Sequence, residues 1–250
     1  MKTLTPHRWL VVTDLDGTLA PRDRPTTEAA RAAIRWLQSR GARLCLGSGK
    51  PCAYLSGVAR MLNLPEAPLI GEGGCLFWRR GQMPTSVWRA PIRPEAVAVL
   101  EWARRELLCR FGERLFLQPN EVAVAAFSTE GDERLLDEVE GFLQESGVTA
   151  ALQLLRHADS VELIPRGVDK GLAVRQLAAE LNVPLDRVIG VGDGVNDAAL
   201  LATAGVAIRV GDDPALTNIG ARRAESFSDL PEMLPELATA ATAGSLPEQA

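Results

Sequence analysis

Trp9 to Leu19 reads W-L-V-V-T-D-L-D-G-T-L, and this stretch constrains the fold more than any other. The apolar run Trp9–Val12 has strand length and is β-branched toward its end, so it reads as a buried strand rather than a helix. Directly behind it stand two carboxylates, Asp14 and Asp16, separated by one apolar residue. If strand geometry persists, period-two alternation puts both on one face at the strand's C-terminal edge, where Gly17 lets the chain turn. Two acids held that close repel, and such a pair persists with a cation between them or with one acid protonated. Either state supports chemistry at phosphorus, with one carboxylate as nucleophile and the other as proton donor to the leaving oxygen. A bare D-x-D is commonly no more than a surface turn, so the remaining chain decides.

After a loop over Pro21–Pro25, Thr26 or Thr27 caps a helix running to about Arg40, with Ala29, Ala33, Ile34 and Leu37 inward. Gly41 ends it, and Ala42–Leu46 is a second buried strand running out into G-S-G-K-P. Strand, helix and strand of these lengths make a right-handed βαβ unit with a parallel sheet. Ser48, Gly49 and Lys50 therefore leave the sheet on the Asp14 side. They offer a hydroxyl and an unobstructed N–H ahead of a helix, Ala53–Leu62, whose N-terminus favours an anion. Leu69-Ile70 is a short third strand before G-E-G-G. Cys75–Trp78 and Val87-Trp88 read as an edge hairpin in which Trp78 and Trp88 serve packing.

From Pro91 the pattern changes. Arg93–Cys109 is an amphipathic helix with Val97, Leu100, Ala103 and Leu107 on one face. Strands follow at Leu115–Leu117 and Val122–Phe127, a helix at Glu133–Glu145, and strands at Leu152–Leu155 and Val161–Ile164. Helix, hairpin, helix, hairpin is an α+β unit on an antiparallel sheet, so residues 91–166 read as an insertion into a core formed by residues 1–90 and 167–235.

Gly167–Asn182 restores a helix, with Lys170 in its first turn. The helix dipole disfavours a cation there, which points to an anion nearby. The strand Val188–Val191 opens into G-D-G-V-N-D, placing Asp193, Asn196 and Asp197 on the Asp14 side. Asn196 is alternatively the N-cap of a helix over Asp197–Ala202. Val206–Ile208 and Ala224–Phe227 complete the sheet, Leu230–Leu237 is a last helix, and residues 238–250 read as a frayed tail. The fold class is α/β, a Rossmann-like parallel sheet carrying an inserted α+β unit.

Composition removes several functions. A net charge of −5 gives no general pull toward nucleic acid or anionic membrane, and no apolar run approaches the ~18 to 20 residues that span a bilayer. The N-terminus has no signal-peptide core, so a cytoplasmic location is expected. Cys45, Cys52, Cys75 and Cys109 lack paired C-x-x-C spacing and read as reduced packing residues. His7 and His157 are the two histidines, too few for a multi-histidine metal site.

Four strand ends thus carry an acid pair, a hydroxyl with free N–H groups, a cation and a second acidic group. Together they describe a magnesium-assisted phosphoryl site, with hard oxygen ligands for Mg²⁺, donors for phosphate oxygens and a carboxylate nucleophile. In these motifs the chain resembles the haloacid dehalogenase superfamily. T-D-L-D-G-T-L is similar to its first motif, G-S-G-K to its second, V-D-K-G to its third and G-D-G-V-N-D to its fourth, over Trp9 to about Phe227. The insertion resembles the type II cap of class IIB, whose members include phosphatases of phosphoglycolate, sucrose phosphate, trehalose phosphate and mannosyl-phosphoglycerate.

The resemblance implies Asp14 as a nucleophile that forms an aspartyl phosphate and Asp16 as general acid, then base. It implies Mg²⁺ held by Asp14, the Asp16 carbonyl and Asp193, with Asp197 ligating directly or through water. Ser48, Gly49, Lys170 and Asn196 would hold the phosphoryl group. Many relatives have Thr and Arg in place of Ser48 and Lys50, which removes a planar fork at Lys50, and Asn-Gly-Ala where this chain has Gly71-Glu72-Gly73-Gly74. In the cap, Arg156, His157 and Glu162, with Gln118, Asn120, Asp159 and Ser160, are candidates to read a sugar. The expected partner is a small phosphate ester, and the expected assembly a monomer or homodimer. The expected activity is phosphomonoester hydrolysis, of a sugar phosphate or a phosphorylated organic acid. A phosphomutase using the same aspartyl phosphate, or a non-catalytic phosphate-binding relative, are the alternatives.

Overall fold

The computed structural model describes residues 9–22, 24–81, 86–235 and 237; His7 and the stretch 238–250 lie outside them. The chain runs β1 (Trp9–Thr13), α1 (Glu28–Ser39), β2 (Ala42–Gly47), α2 (Cys52–Met61), β3 (Leu69–Gly71), β4 (Leu76–Trp78) and β5 (Val87–Arg89). It continues through α3 (Pro94–Phe111), β6 (Leu115–Leu117), β7 (Val124–Ser128), α4 (Glu133–Glu145), β8 (Leu152–Arg156) and β9 (Ser160–Pro165). It then follows α5 (Lys170–Glu180), β10 (Val188–Gly192), α6 (Ala198–Thr203), β11 (Val206–Val210), β12 (Arg222–Ala224) and α7 (Leu230–Met233).

The larger sheet has the order β12-β11-β10-β1-β2-β3-β4-β5. Its strands are parallel from β12 to β3, and β4 and β5 add an antiparallel edge. Both faces are covered, which is why its strands are apolar throughout rather than alternating. Val11 packs with Leu37, Leu55 and Phe227 on one side, and Leu10 and Val12 pack with Val174, Leu177 and Leu200 on the other. Successive side chains of β1 thus feed opposite layers. β1 sits between β2 and β10 where strand order reverses, the position at which open α/β sheets bind ligands. Trp88 stacks on Phe77 with centroids 5.0 Å apart, a packing role.

Between β5 and α5 the chain builds a second, four-stranded antiparallel sheet of order β6-β7-β9-β8, with α3 and α4 on one face. Ala96, Leu100, Ala103, Leu107 and Phe111 form the buried stripe of α3. Val97 is exposed instead, because the stripe recurs through Ala96 and not its neighbour. In α1, likewise, Ala30 is buried and Ala29 is not; Thr27 caps that helix by accepting from the Ala30 N–H at 3.1 Å.

The last strand also differs from expectation. β12 covers Arg222–Ala224, and Phe227 lies in a short 3₁₀ turn. Asp229 Oδ2 accepts the Glu225 and Ser226 N–H groups at 2.9 and 3.0 Å, and this cap bends the chain out of the sheet while Phe227 remains in the core. The helix after it is described over Leu230–Met233.

Candidate active site

β1 ends at Thr13, and the Asp14 N–H continues its ladder by donating to the Val191 carbonyl of β10 at 2.9 Å. This seats Asp14 between β1 and β10, with 4 % of its surface exposed. The chain then curls. Ala20 N–H donates to Leu15 O and Gly17 N–H to Ala20 O, at 2.9 and 2.7 Å. The curl brings Thr18 Oγ1 within 2.8 Å of Asp193 Oδ1 and Arg22 within 3.5 Å of Asp193 Oδ2. Gly17 adopts φ +91°, and a Cβ there would stand 2.2 Å from Asp193 Oδ2. Glycine is required both for the left-handed backbone and for the approach of that carboxylate. Asp16, past the end of regular strand geometry, is more exposed and faces Lys50 Nζ at 3.7 Å.

Lys170 is the first residue of α5 and is buried, its ammonium 2.6 Å from both Asp14 Oδ1 and Asp197 Oδ1. These are the anions that its position at a helix N-terminus requires. Asp197 Oδ2 in turn accepts the Asp193 and Gly194 N–H groups at 3.1 and 3.3 Å, so Asp197 braces the loop after β10. Single carboxylate oxygens of Asp14, Asp193 and Asp197 all lie within 4.8 Å of one another.

Three carboxylates face one ammonium in this pocket, and the titrations reflect the imbalance. Burial pushes the Asp14 carboxyl up to about 8; Asp197 and Asp193 add to the shift and Lys170 opposes it. Burial also raises Asp193, against the hydrogen bond from Thr18. For Lys170 burial acts downward, and the attraction of Asp14 and Asp197 outweighs it, so its pKa lies above the ordinary lysine value and it stays protonated. A cluster of hard oxygen donors with surplus negative charge fits a divalent cation such as Mg²⁺.

Opposite these residues, Ser48, Gly49 and Lys50 leave β2 and line a crevice of about 90 Å³ with Asp14, Asp16 and Asn196. Its far wall is the second sheet. Glu162 pairs with Ala125, and Ser160 with Phe127, across β9 and β7, which puts these side chains on the face away from α3 and α4. Phe127, Ser160 and Glu162 line the crevice, as do Asp159, Gln118 and Arg22. A Cβ on Gly49 would stand 2.9 Å from Glu162 Oε1, so that carboxylate lies over the Gly49 turn. His157 Nε2 is 3.6 Å from Glu162 Oε2.

Arg156 does not join them. It pairs in register with Val161, whose side chain is in the insertion's apolar core, and so it lies on the helix side, 3.0 Å from Asp137 of α4. One residue of strand parity separates Arg156 from His157. Three further residues of the site are not among the motif candidates: Thr18 and Arg22, which hold Asp193, and Phe127, whose ring lies 5.5 Å from Lys50 Nζ. Thr18 stood within the D-x-D-G-T stretch; Arg22 and Phe127 carried no motif signal.

The family model of sucrose-6F-phosphate phosphohydrolase matches residues 7–220. The chain belongs to this family, within the haloacid dehalogenase superfamily. A phosphoglycolate phosphatase of Methanopyrus kandleri is 30% identical over 204 residues, covering 80% of this chain and 82% of that protein. Among solved structures, the sucrose-phosphatase of Synechocystis in complex with sucrose and phosphate superposes with a TM-score of 0.64 at 18% identity, covering 93% of this chain and 98% of that one. A haloacid dehalogenase subclass IIB sugar phosphatase superposes with a TM-score of 0.66 at 15% identity, covering 92% and 99%. These two likenesses are of fold: a Rossmann-like core with an inserted cap. The protein is a phosphatase of the haloacid dehalogenase type, a phosphoric monoester hydrolase. No helix among its described residues is long and apolar enough to cross a membrane.

Proposed function

We propose that the phosphatase hydrolyses a small phosphomonoester through an aspartyl phosphate on Asp14, with Mg²⁺ as cofactor. The observation that carries this reading is the buried Asp14 carboxylate, held by Lys170 at 2.6 Å beside Asp193 and Asp197. Asp14 attacks phosphorus as the ester P–O bond breaks, and Asp16 gives its proton to the departing oxygen. Asp16 then takes a proton from water, whose oxygen attacks phosphorus and breaks the bond to Asp14. Ser48, Gly49 and Asn196 hold the phosphoryl oxygens, and Lys170 orients Asp14 while its charge offsets theirs. Asp14, Asp193 and the Asp16 carbonyl would hold Mg²⁺. Both oxygens of Asp197 are already engaged, so it acts on the metal through the loop it braces or through water. Bound there, the ion supplies positive charge to the transferring group.

The crevice limits the leaving group. Its volume of about 90 Å³ is far below the ~300 to 1,000 Å³ of sites that enclose drug-sized ligands, and its cap wall carries Glu162 and Asp159. A short, hydroxylated, uncharged leaving group suits these acceptors, while Arg22 and Lys50 of the same crevice offer cations to a small carboxylate. The phosphoglycolate phosphatase relatives support a second reading, a two-carbon acid. Released phosphate, measured for glycerol phosphate, phosphoglycolate and sucrose-6-phosphate with Mg²⁺ and with EDTA, separates them. The proposal expects Mg²⁺-dependent hydrolysis with the highest kcat/KM for glycerol phosphate. Preference for phosphoglycolate would establish the second reading. Isomerised ester without released phosphate would mark a mutase, and activity unchanged by EDTA would remove the metal.

A further inference from the structure

Glu72 belongs to the core yet spends its side chain on the cap. It follows β3 within G-E-G-G, adopts φ +54° and is 1 % exposed. A left-handed backbone at a non-glycine residue costs of order 1 kcal/mol and persists where its surroundings hold it. Its Oε1 accepts the Glu121 N–H at 2.8 Å, and its Oε2 accepts those of Val122 and Ala123 at 2.8 and 3.0 Å. These three successive amides form the turn between β6 and β7. The carbonyls of the same turn point the other way, toward the Arg104 guanidinium of α3, which donates to Asn120, Val122 and Ala123 at 3.1 to 3.4 Å. The turn's dipoles are thus aligned between a cap cation and a core anion, and charge-assisted bonds of this kind are the stronger class.

The same hairpin reaches the phosphoryl turn. Gln118 Nε2 donates to the Gly49 carbonyl at 3.0 Å. The flanking carbonyls are held from the core, Ser48 by the Gly73 N–H and Lys50 by the Glu72 N–H, each at 3.1 Å. In a trans peptide the N–H points opposite to the C=O, so fixing the Ser48 and Gly49 carbonyls fixes where the Gly49 and Lys50 N–H groups point. Of the three carbonyl anchors, the cap supplies the one on Gly49; the N–H of the same peptide, that of Lys50, donates to Ser48 Oγ at 3.2 Å, so Gln118 holds from the carbonyl side a peptide whose N–H the turn itself holds.

We propose that Glu72 is a positioning residue that docks the Gln118–Ala123 turn and, through Gln118, sets the Gly49–Lys50 peptide that receives the phosphoryl group. Cap docking and phosphate binding are then one coupled equilibrium, each strengthening the other. The proposal rests on the reading of Ser48–Lys50 as the phosphoryl-holding turn.

The test is calorimetric binding of inorganic phosphate in Mg²⁺ to the full chain, its E72Q and Q118A variants and the double variant, with melting temperatures alongside. E72Q keeps the side chain's size and replaces one acceptor oxygen with a donor aimed at amides. Each single variant is expected to weaken phosphate binding by about tenfold, the worth of one good hydrogen bond. The double variant is expected to lose no more than the weaker binder of the two, because both act through one contact chain. Unchanged phosphate affinity in both singles, or additive losses in the double, would overturn the relay. So would a lower melting temperature of E72Q with phosphate affinity intact, which would leave Glu72 a purely structural role. If E72Q does not fold, Q118A, which alters a half-buried side chain, decides by the same criterion. A parent chain that binds no phosphate and hydrolyses no ester would instead bring down the phosphoryl-site reading, and the relay with it.

Discussion

Lys170 Nζ lies 2.6 Å from Asp14 Oδ1, although the two residues are 156 positions apart in the chain. Both are almost wholly buried, so the ammonium is the charge partner that lets a carboxylate persist at the end of a central strand. Removing one member of a buried pair costs roughly 3 to 5 kcal/mol, because the other is left uncompensated. Above pH 8, where Asp14 is ionised, the K170M variant is therefore expected to lose stability of that order in urea unfolding, and less at neutral pH, where Asp14 keeps its proton; phosphatase activity is expected to fall by several orders of magnitude. Added Mg²⁺ is expected to restore part of the stability, since at the proposed site it answers the same surplus of negative charge. Retention of parental stability and turnover would count against the assignment.

Gly17 and Asp193 share a space that admits no methyl group, a Cβ at position 17 falling 2.2 Å from Asp193 Oδ2. G17A is expected to weaken the Mg²⁺-induced rise in melting temperature by displacing that carboxylate. It also loses about 1 kcal/mol or more of stability from the left-handed backbone at +91°. A Mg²⁺ titration of melting temperature reads both effects, and a parental response would show that Asp193 is not held by this contact.

If the acid cluster holds Mg²⁺ as proposed, proton and metal compete for it. Asp14 is raised from 3.8 to about 8, so without metal its contribution to stability is fully present below 3.8 and is lost as pH rises through about 8. In the proposed function Mg²⁺ would take the ionised form and release the proton. Its affinity is expected to climb with pH toward 8, by up to about tenfold per pH unit for each proton displaced. Calorimetry in buffers of different ionisation enthalpy counts that proton; affinity independent of pH would contradict the cluster's charge state.

Much of this arrangement is legible in the sequence because parallel strands share one C-terminal edge. Asp14, Ser48 and Asp193 each follow an apolar strand, so their meeting follows from topology, and Lys170 is marked by standing where a helix dipole disfavours it. Other contacts leave no such trace. Arg156 and His157 are adjacent polar residues, and only the register of β8 on Val161 sends them to opposite faces. Phe227 is as apolar as a strand residue, yet the Asp229 cap turns the chain before it. Glu72 shows in the sequence only as a departure from the Asn-Gly-Ala of many relatives, because its three amide partners belong to a hairpin 49 to 51 residues further on.

The cysteines follow from burial alone. Cys45, Cys52 and Cys75 are buried and Cys109 is exposed. Burial pushes the Cys52 thiol up to about 12 and raises Cys45 and Cys75 as well. Because the thiolate is the reactive form, the native protein is expected to take up one equivalent of a thiol reagent at pH 8, and the denatured chain four. Rapid native labelling beyond Cys109 would contradict the packing.

Trapping the covalent intermediate addresses the nucleophile itself. A turnover quenched in acid and reduced with borohydride, which converts an acyl phosphate to an alcohol, is read by peptide mass spectrometry across residues 9–22. Conversion of the carboxyl group at Asp14, dependent on substrate and absent from D14N, is the expected result. Steady turnover with Asp14 unmodified, or D14N hydrolysing the ester at the parental rate, would contradict it.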